Sequence, residues 1–187
     1  AREPMGVAGI IVPWNAPITL LVRSLAPAIA AGCTSVTKAA PQTALVNEMV
    51  FKLLAEVDGI PPGAINMISE TGSDVSKLLV ESPEVDVISY TGSTHVGKLI
   101  MAAGAPTLKR MNLELGGSAP CVVFGDANLD ETVAGITRAA MAHTGQVCVA
   151  ASRVIAEQSI AAELESKLAE RLGGLKLGVA DSADSQL

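Results

Sequence analysis

Cysteine is scarce in this 187-residue chain: Cys33, Cys121 and Cys148 are an odd number without metal-ligand spacing. Neither a disulfide framework nor a zinc site is supported, and a reducing compartment is expected. Basic clusters are missing too. With 13 Lys+Arg against 19 Asp+Glu and a net charge of -6, the chain lacks the electrostatic footprint of a phosphate-backbone binder, so nucleic acid is not an expected partner. His95 and His143 are the only histidines, and no Ser-His-Asp or metal constellation assembles from them by spacing. Apolar runs such as Gly6 to Val12 fall far short of the roughly 20 residues that span a bilayer, and Arg2-Glu3-Pro4 does not open a signal peptide. A cytoplasmic protein without a membrane partner is expected. Repeats and low-complexity segments are absent. The first residue is not Met and the polar end from Asp181 to Leu187 closes no element, so the chain reads as a piece of a longer protein.

What is present suits a folded segment, since 49% of residues are apolar and 17% charged. Short β-rich runs alternate with longer helix-period segments, the pattern of an α/β, Rossmann-like parallel sheet with flanking helices. Strands are expected at Val7 to Val12, Thr34 to Lys38, Ile65 to Ser69, Val85 to Tyr90, Lys109 to Leu115, Pro120 to Phe124 and Ser152 to Glu157. Helices are expected at Ile18 to Ala31, ended by Gly32, from a Thr43 cap to about Val57, up to about Val80, from Ser93 toward Ala103, and from Leu129 to Ala142. Ile160, Leu164, Leu168 and Leu172 mark a last amphipathic helix. The glycines Gly116-Gly117 suggest a boundary, giving one unit over 1–115 and the start of a second over 116–187.

Three residues invite chemistry. Thr144-Gly145-Gln146-Val147-Cys148 puts a thiol in a glycine-containing turn between a helix and a strand, where backbone amides are free to donate. Cys148 is then either a nucleophile or a small buried hydrophobe. Glu114, in Leu113-Glu114-Leu115-Gly116-Gly117, is a carboxylate in an apolar strand beside two glycines that permit close approach of a ligand. Buried, it would be a usable base; the alternative is an edge-strand Glu facing water. Asn15, between Trp14 and Ala16-Pro17, either lends its amide N–H to a developing oxyanion or is a turn residue.

Taken together, Pro13-Trp14-Asn15, Leu113-Glu114-Leu115-Gly116-Gly117 and Gly145-Gln146-Val147-Cys148 resemble, in order, the signatures of the aldehyde dehydrogenase superfamily. The likeness continues through Lys38, Pro62-Gly63-Ala64-Ile65-Asn66 and Tyr90-Thr91-Gly92-Ser93. It implies part of a cofactor-binding domain over 1–115 and the start of a catalytic domain over 116–187. It also implies oxidation of an aldehyde to a carboxylic acid, with NAD or NADP as cofactor. In that pattern Cys148 is the nucleophile, Asn15 and the Cys148 N–H hold the oxyanion, and Glu114 activates the water that releases the product. Lys38 contacts the adenosine ribose, Gly72 lies beside the adenine end, Val96 is on the helix that adenine packs against, and Thr91, Gly92 and Ser93 serve the pyrophosphate. Val12, Trp14 and Leu115 complete the expected cofactor set, and Met141 and Val149 are expected pocket liners. No metal is implied, and the full-length protein is expected to be a homodimer or homotetramer.

Departures from the family pattern carry expectations of their own. His143 stands where relatives usually carry Asn. NAD-preferring relatives read Lys-Pro-x-Glu where this chain has Lys38-Ala39-Ala40-Pro41, which predicts that NADP is accepted at least comparably with NAD. Two rivals stand beside this reading. Gly92-Ser93-Thr94-His95-Val96-Gly97-Lys98 fits G-x-x-x-x-G-K, the phosphate loop of nucleotide triphosphatases, but Leu99 replaces the Ser or Thr that would ligate magnesium. The other rival is a non-catalytic protein on the same scaffold.

Overall fold

Consecutive apolar residues, rather than alternating ones, mark strands covered on both faces, and Val7-Ala8-Gly9-Ile10-Ile11 is such a run. The computed structural model describes residues 3–187. The chain forms two units, Ala1–Leu115 and Gly116–Leu187. In the first, β1 (Val7–Ile11), α1 (Pro17–Ala30), β2 (Thr34–Ala39), α2 (Ala44–Ala55), β3 (Ile65–Ser69), α3 (Asp74–Glu81), β4 (Val87–Gly92), α4 (Thr94–Gly104) and β5 (Arg110–Leu115) alternate strictly. The five strands are all parallel in the order β3-β2-β1-β4-β5. Each crossover is therefore a βαβ unit.

Side chains alternate across β1 and feed two cores. Ala8, Ile10 and Val12 join Leu21 and Leu25 of α1, while Ile11 joins Leu79, Val80, Ile88 and Ile100 with α3 and α4. Ile10, Leu21 and Ile88 are at most 1% exposed, and each such side chain contributes about 1.5–3 kcal/mol of burial. Gly32, at φ +81, ends α1 with backbone bonds from its own N–H to Ile29 and from the Cys33 N–H to Ala28.

Two expected boundaries move. Thr43 does not cap α2; a short 3₁₀ turn, Pro41–Thr43, leads into the helix instead, and the Thr43 hydroxyl accepts nothing from it. The strand expected at Val85 to Tyr90 starts at Val87 and runs on to Gly92, because Thr91 and Gly92 pair with Glu114 and Leu115 of β5. Val85 still enters the core, and the Asp86 carboxylate accepts the Val7 N–H at 2.7 Å.

In the second unit β6 (Pro120–Val123) pairs in parallel with β7 (Arg153–Ala156), and α5 (Leu129–Met141) and α6 (Ala161–Gly173) cover them. Val123, Val133, Ile136 and Leu164 form its core. Asn128 caps α5 by accepting the Asp130 and Glu131 N–H groups at 3.1 and 3.3 Å.

Candidate functional site

Open parallel sheets bind ligands outside the carboxyl ends of their strands, where the strand order reverses. That reversal lies here between β1 and β4. From β1 the chain passes into Val12, whose N–H donates to the Lys38 carbonyl at 3.2 Å, and then through Pro13, Trp14 and Asn15 to α1. From β4 it passes through Thr91 and Gly92 to Ser93, whose Oγ accepts the Val96 N–H at 3.3 Å and caps α4. Register aligns Ile11 with both Lys38 and Tyr90, Thr91 with Glu114, and Gly92 with Leu115. Val12, Trp14, Asn15, Lys38, Thr91, Gly92, Ser93, Glu114 and Leu115 thus reach one edge of one sheet.

Packing shapes that edge further. A Cβ on Gly97 would stand 2.7 Å from Leu115 Cδ2, so a side chain there would have to displace the end of Leu115 where α4 approaches β5. Trp14 and Val96 present apolar surface there, at 43% and 38% exposure. Gly72 is exposed in the loop after β3. The phosphate-loop alternative fails on geometry, because Gly97 and Lys98 lie inside α4 and no loop is left to wrap a phosphate.

Glu114 is not buried. β5 is an edge strand whose alternation turns Met111, Leu113 and Leu115 inward and Glu114 outward, so its side chain is 50% exposed. It faces Arg23 of α1 at 3.7 Å, and Arg23 also donates to Thr91 Oγ1 at 3.1 Å. Arg23 is absent from the sequence-derived site. Its signal was available: it is the only charged residue of α1, and a lone charge on an apolar helix needs a partner. Lys38 is only 9% exposed, so it is not a solvated lysine at the strand end.

Glu70 was also missed. Its carboxylate accepts the N–H groups of Asp74, Val75 and Ser76 at 3.0, 3.1 and 3.3 Å, doing the capping that Ser73 does not. Partial burial raises this carboxyl, but the Val75 and Ser76 amides, the Lys38 charge and the Asp74 amide together bring it below the usual carboxylate range. A cap placed four residues before its helix does not match the N-cap spacing.

In the second unit Cys148 is exposed in the turn between α5 and β7, and Met141 and Val149 lie nearby in sequence, half-buried and exposed. The turn is sharp: His143, Thr144 and Gly145 have φ of 50, 58 and 75. His is among the residues that tolerate that left-handed region, whereas the β-branched Thr144 there costs about 1–2 kcal/mol. Ala150 N–H closes the turn on the Val147 carbonyl at 3.0 Å, while the Cys148 N–H donates to no acceptor among the described residues. A groove of about 500 Å³ beside α5 and α6 holds none of these residues, and its Lys167 and Asp130 pair with each other at 2.6 Å. Among the described residues no cluster of His, Cys, Asp or Glu could hold a metal, and no helix is long and apolar enough to cross a membrane.

A doubly wound parallel sheet with polar groups gathered at its switch-point edge, followed by a second unit carrying an exposed thiol, defines an α/β protein. The model of the aldehyde dehydrogenase family matches residues 1–187. The chain belongs to the aldehyde dehydrogenase family. It is 42% identical over 178 residues to a probable NADP+ succinate-semialdehyde dehydrogenase of Sinorhizobium fredii, spanning 95% of this chain and 36% of that protein. It is 43% identical to cytosolic aldehyde dehydrogenase 1 of Rattus norvegicus, spanning 95% and 35%. A betaine aldehyde dehydrogenase mutant of Staphylococcus aureus, solved with NAD+, superposes with a TM-score of 0.94 at 39% identity, over 99% of this chain and 38% of that one. The chain thus spans little more than a third of these relatives.

Proposed function

We propose that the protein containing this chain oxidises an aldehyde to a carboxylic acid with NAD or NADP as hydride acceptor. The observation that carries this reading is the gathering of Asn15, Lys38, Thr91, Ser93 and Glu114 at the carboxyl edge of one parallel sheet, in a chain that also exposes the Cys148 thiol. Cys148, deprotonated, attacks the aldehyde carbon. The oxyanion is held by the Asn15 amide and the Cys148 N–H, donors of a kind worth about 3–4 kcal/mol each. When bound, the nicotinamide supplies the hydride acceptor. Glu114 then takes a proton from the water that attacks the thioester, the carbon–sulfur bond breaks, and the acid leaves with the thiol restored.

The residues present suit the cofactor. Ser93 opens α4, whose N-terminus favours a pyrophosphate, with Thr91 and Gly92 leading into it. Val96 and Trp14 offer apolar faces to the planar rings, Gly72 leaves the loop after β3 open, Val12 and Leu115 line the edge, and Lys38 reaches the adenosine ribose. Arg23 positions Glu114. The free Cys33, Cys121 and Cys148 support a reducing, cytoplasmic setting. The exposed Leu45, Met49 and Leu53 of α2, with Val57 just beyond its end, support burial against further protein in a homodimer or homotetramer.

The test is Cys148→Ala in the full-length enzyme. Aldehyde oxidation is abolished while cofactor affinity stays within about twofold of the parent, a change of under half a kcal/mol. Retained turnover overturns the nucleophile assignment. Titration of Cys148 with a thiol reagent, with and without cofactor, separates a reactive thiol from the inert one of a mere scaffold.

A further inference from the structure

In dinucleotide-binding sheets an acidic residue beyond the second strand takes the ribose 2′-hydroxyl, and a cation there accommodates a 2′-phosphate. β2 ends at Ala39, and Lys38-Ala39-Ala40-Pro41 across its end offers no acid. One stands on the next strand. β3 runs parallel to β2 with Lys38 opposite Ile68 and Ala39 opposite Ser69, so Glu70 leaves the sheet at the same edge. Three backbone N–H groups of α3 fix its carboxylate, and Lys38 lies within electrostatic reach of it without a direct ion pair among the described residues.

We propose that Glu70 is a cofactor-specificity residue that bounds the adenosine-ribose subsite opposite Lys38 and disfavours a 2′-phosphate. The inference rests on the cofactor reading of Lys38 given above. Glu70 acts in two ways: its charge repels the phosphate, and it occupies the α3 amides that an incoming anion would otherwise take. Lys38 attracts the same phosphate. The two residues oppose each other, and that opposition keeps the parent near parity between NAD and NADP.

Calorimetric titration of the full-length protein with adenosine 2′,5′-bisphosphate and with 5′-AMP reads this subsite without turnover. Glu70→Gln keeps an oxygen for the α3 amides and removes the charge. It raises the affinity ratio in favour of the bisphosphate about tenfold, equivalent to about 1.4 kcal/mol. Glu70→Asn, neutral and a good helix-capping residue, gives the same rise should Glu70→Gln loosen α3. Adding Pro41→Glu to Glu70→Gln returns the ratio toward the parent value. An unchanged ratio in the neutral variants, with both nucleotides bound, overturns the role of Glu70 and leaves the cofactor site standing. Failure of the folded parent to bind either nucleotide overturns the cofactor reading, and the role of Glu70 with it.

Discussion

Glu114→Gln separates catalysis from stability because the two effects differ in size. The substitution keeps the shape of the side chain and removes its charge. What it loses structurally is the ion pair with Arg23 at 3.7 Å, between side chains that are 42% and 50% exposed. Pairs that open to water are worth about 0.2–1 kcal/mol, so stability falls by less than about 1 kcal/mol. Arg23 also keeps its bond to Thr91, which limits the loss further. Removing a general base costs about 10²–10⁴ in rate, or about 3–5 kcal/mol of barrier. The damage should therefore fall on thioester hydrolysis and leave the fold intact. Rapid mixing of aldehyde and cofactor with the full-length variant should show a burst of about one equivalent of reduced cofactor per site, followed by a steady rate lower by that factor. Steady turnover at the parent rate, with a normal melting curve, would refute the reasoning: another group would then activate the water.

Gly97→Ala sets about 1–3 kcal/mol of overpacking against Leu115 against about 1 kcal/mol of gained helix propensity, so it is neutral or destabilising. Leu115→Ala relieves the clash, and a double-mutant cycle read by denaturant midpoints should show coupling; additive effects would sink the close-approach argument. Glu70 has a lowered carboxyl, so its contribution is complete above the ordinary carboxylate range and is lost as pH falls through its lowered value. Amide shifts of Asp74, Val75 and Ser76 followed by NMR should titrate below that range in the parent and not in Glu70→Gln; a midpoint above it contradicts the capping role. Steady-state kinetics of the full-length enzyme should show NADP used at least comparably with NAD, and Pro41→Glu should shift the choice toward NAD. A hundredfold preference of the parent for NAD would show that the β2 loop does not govern it.

Most of the fold was legible because its signals are local. β1 is a short apolar run, β2 is rich in the β-branched Thr34, Val36 and Thr37, Gly32 stops α1, and the four-residue repeat from Ile160 to Leu172 spells α6. Where pairing partners decided, the local reading slipped. β4 runs on through Thr91 and Gly92 because β5 continues beside them, and nothing within Val85 to Gly92 announces that. Thr43 has the right chemistry for a cap, but as the last residue of the 3₁₀ turn it keeps its hydroxyl inside.

The candidate residues divide in the same way. Sequence alone determined which groups are present: a thiol in a tight glycine turn, a carboxylate before two glycines, an asparagine after a buried strand, and the motif order that resembles the family. Residue identity and spacing are one-dimensional facts. Only the tertiary structure decided their surroundings, because burial and partners depend on strands and helices far apart in the chain. Arg23 meets Glu114 and Thr91 because α1, packed over β1 and β2, lets its one charged side chain reach across to β4 and β5, which decides for the half-exposed, ion-paired carboxylate over the buried base. Glu70 comes within reach of Lys38 because β2 and β3 are parallel neighbours and end at one edge, a placement that no local signal within either strand encodes.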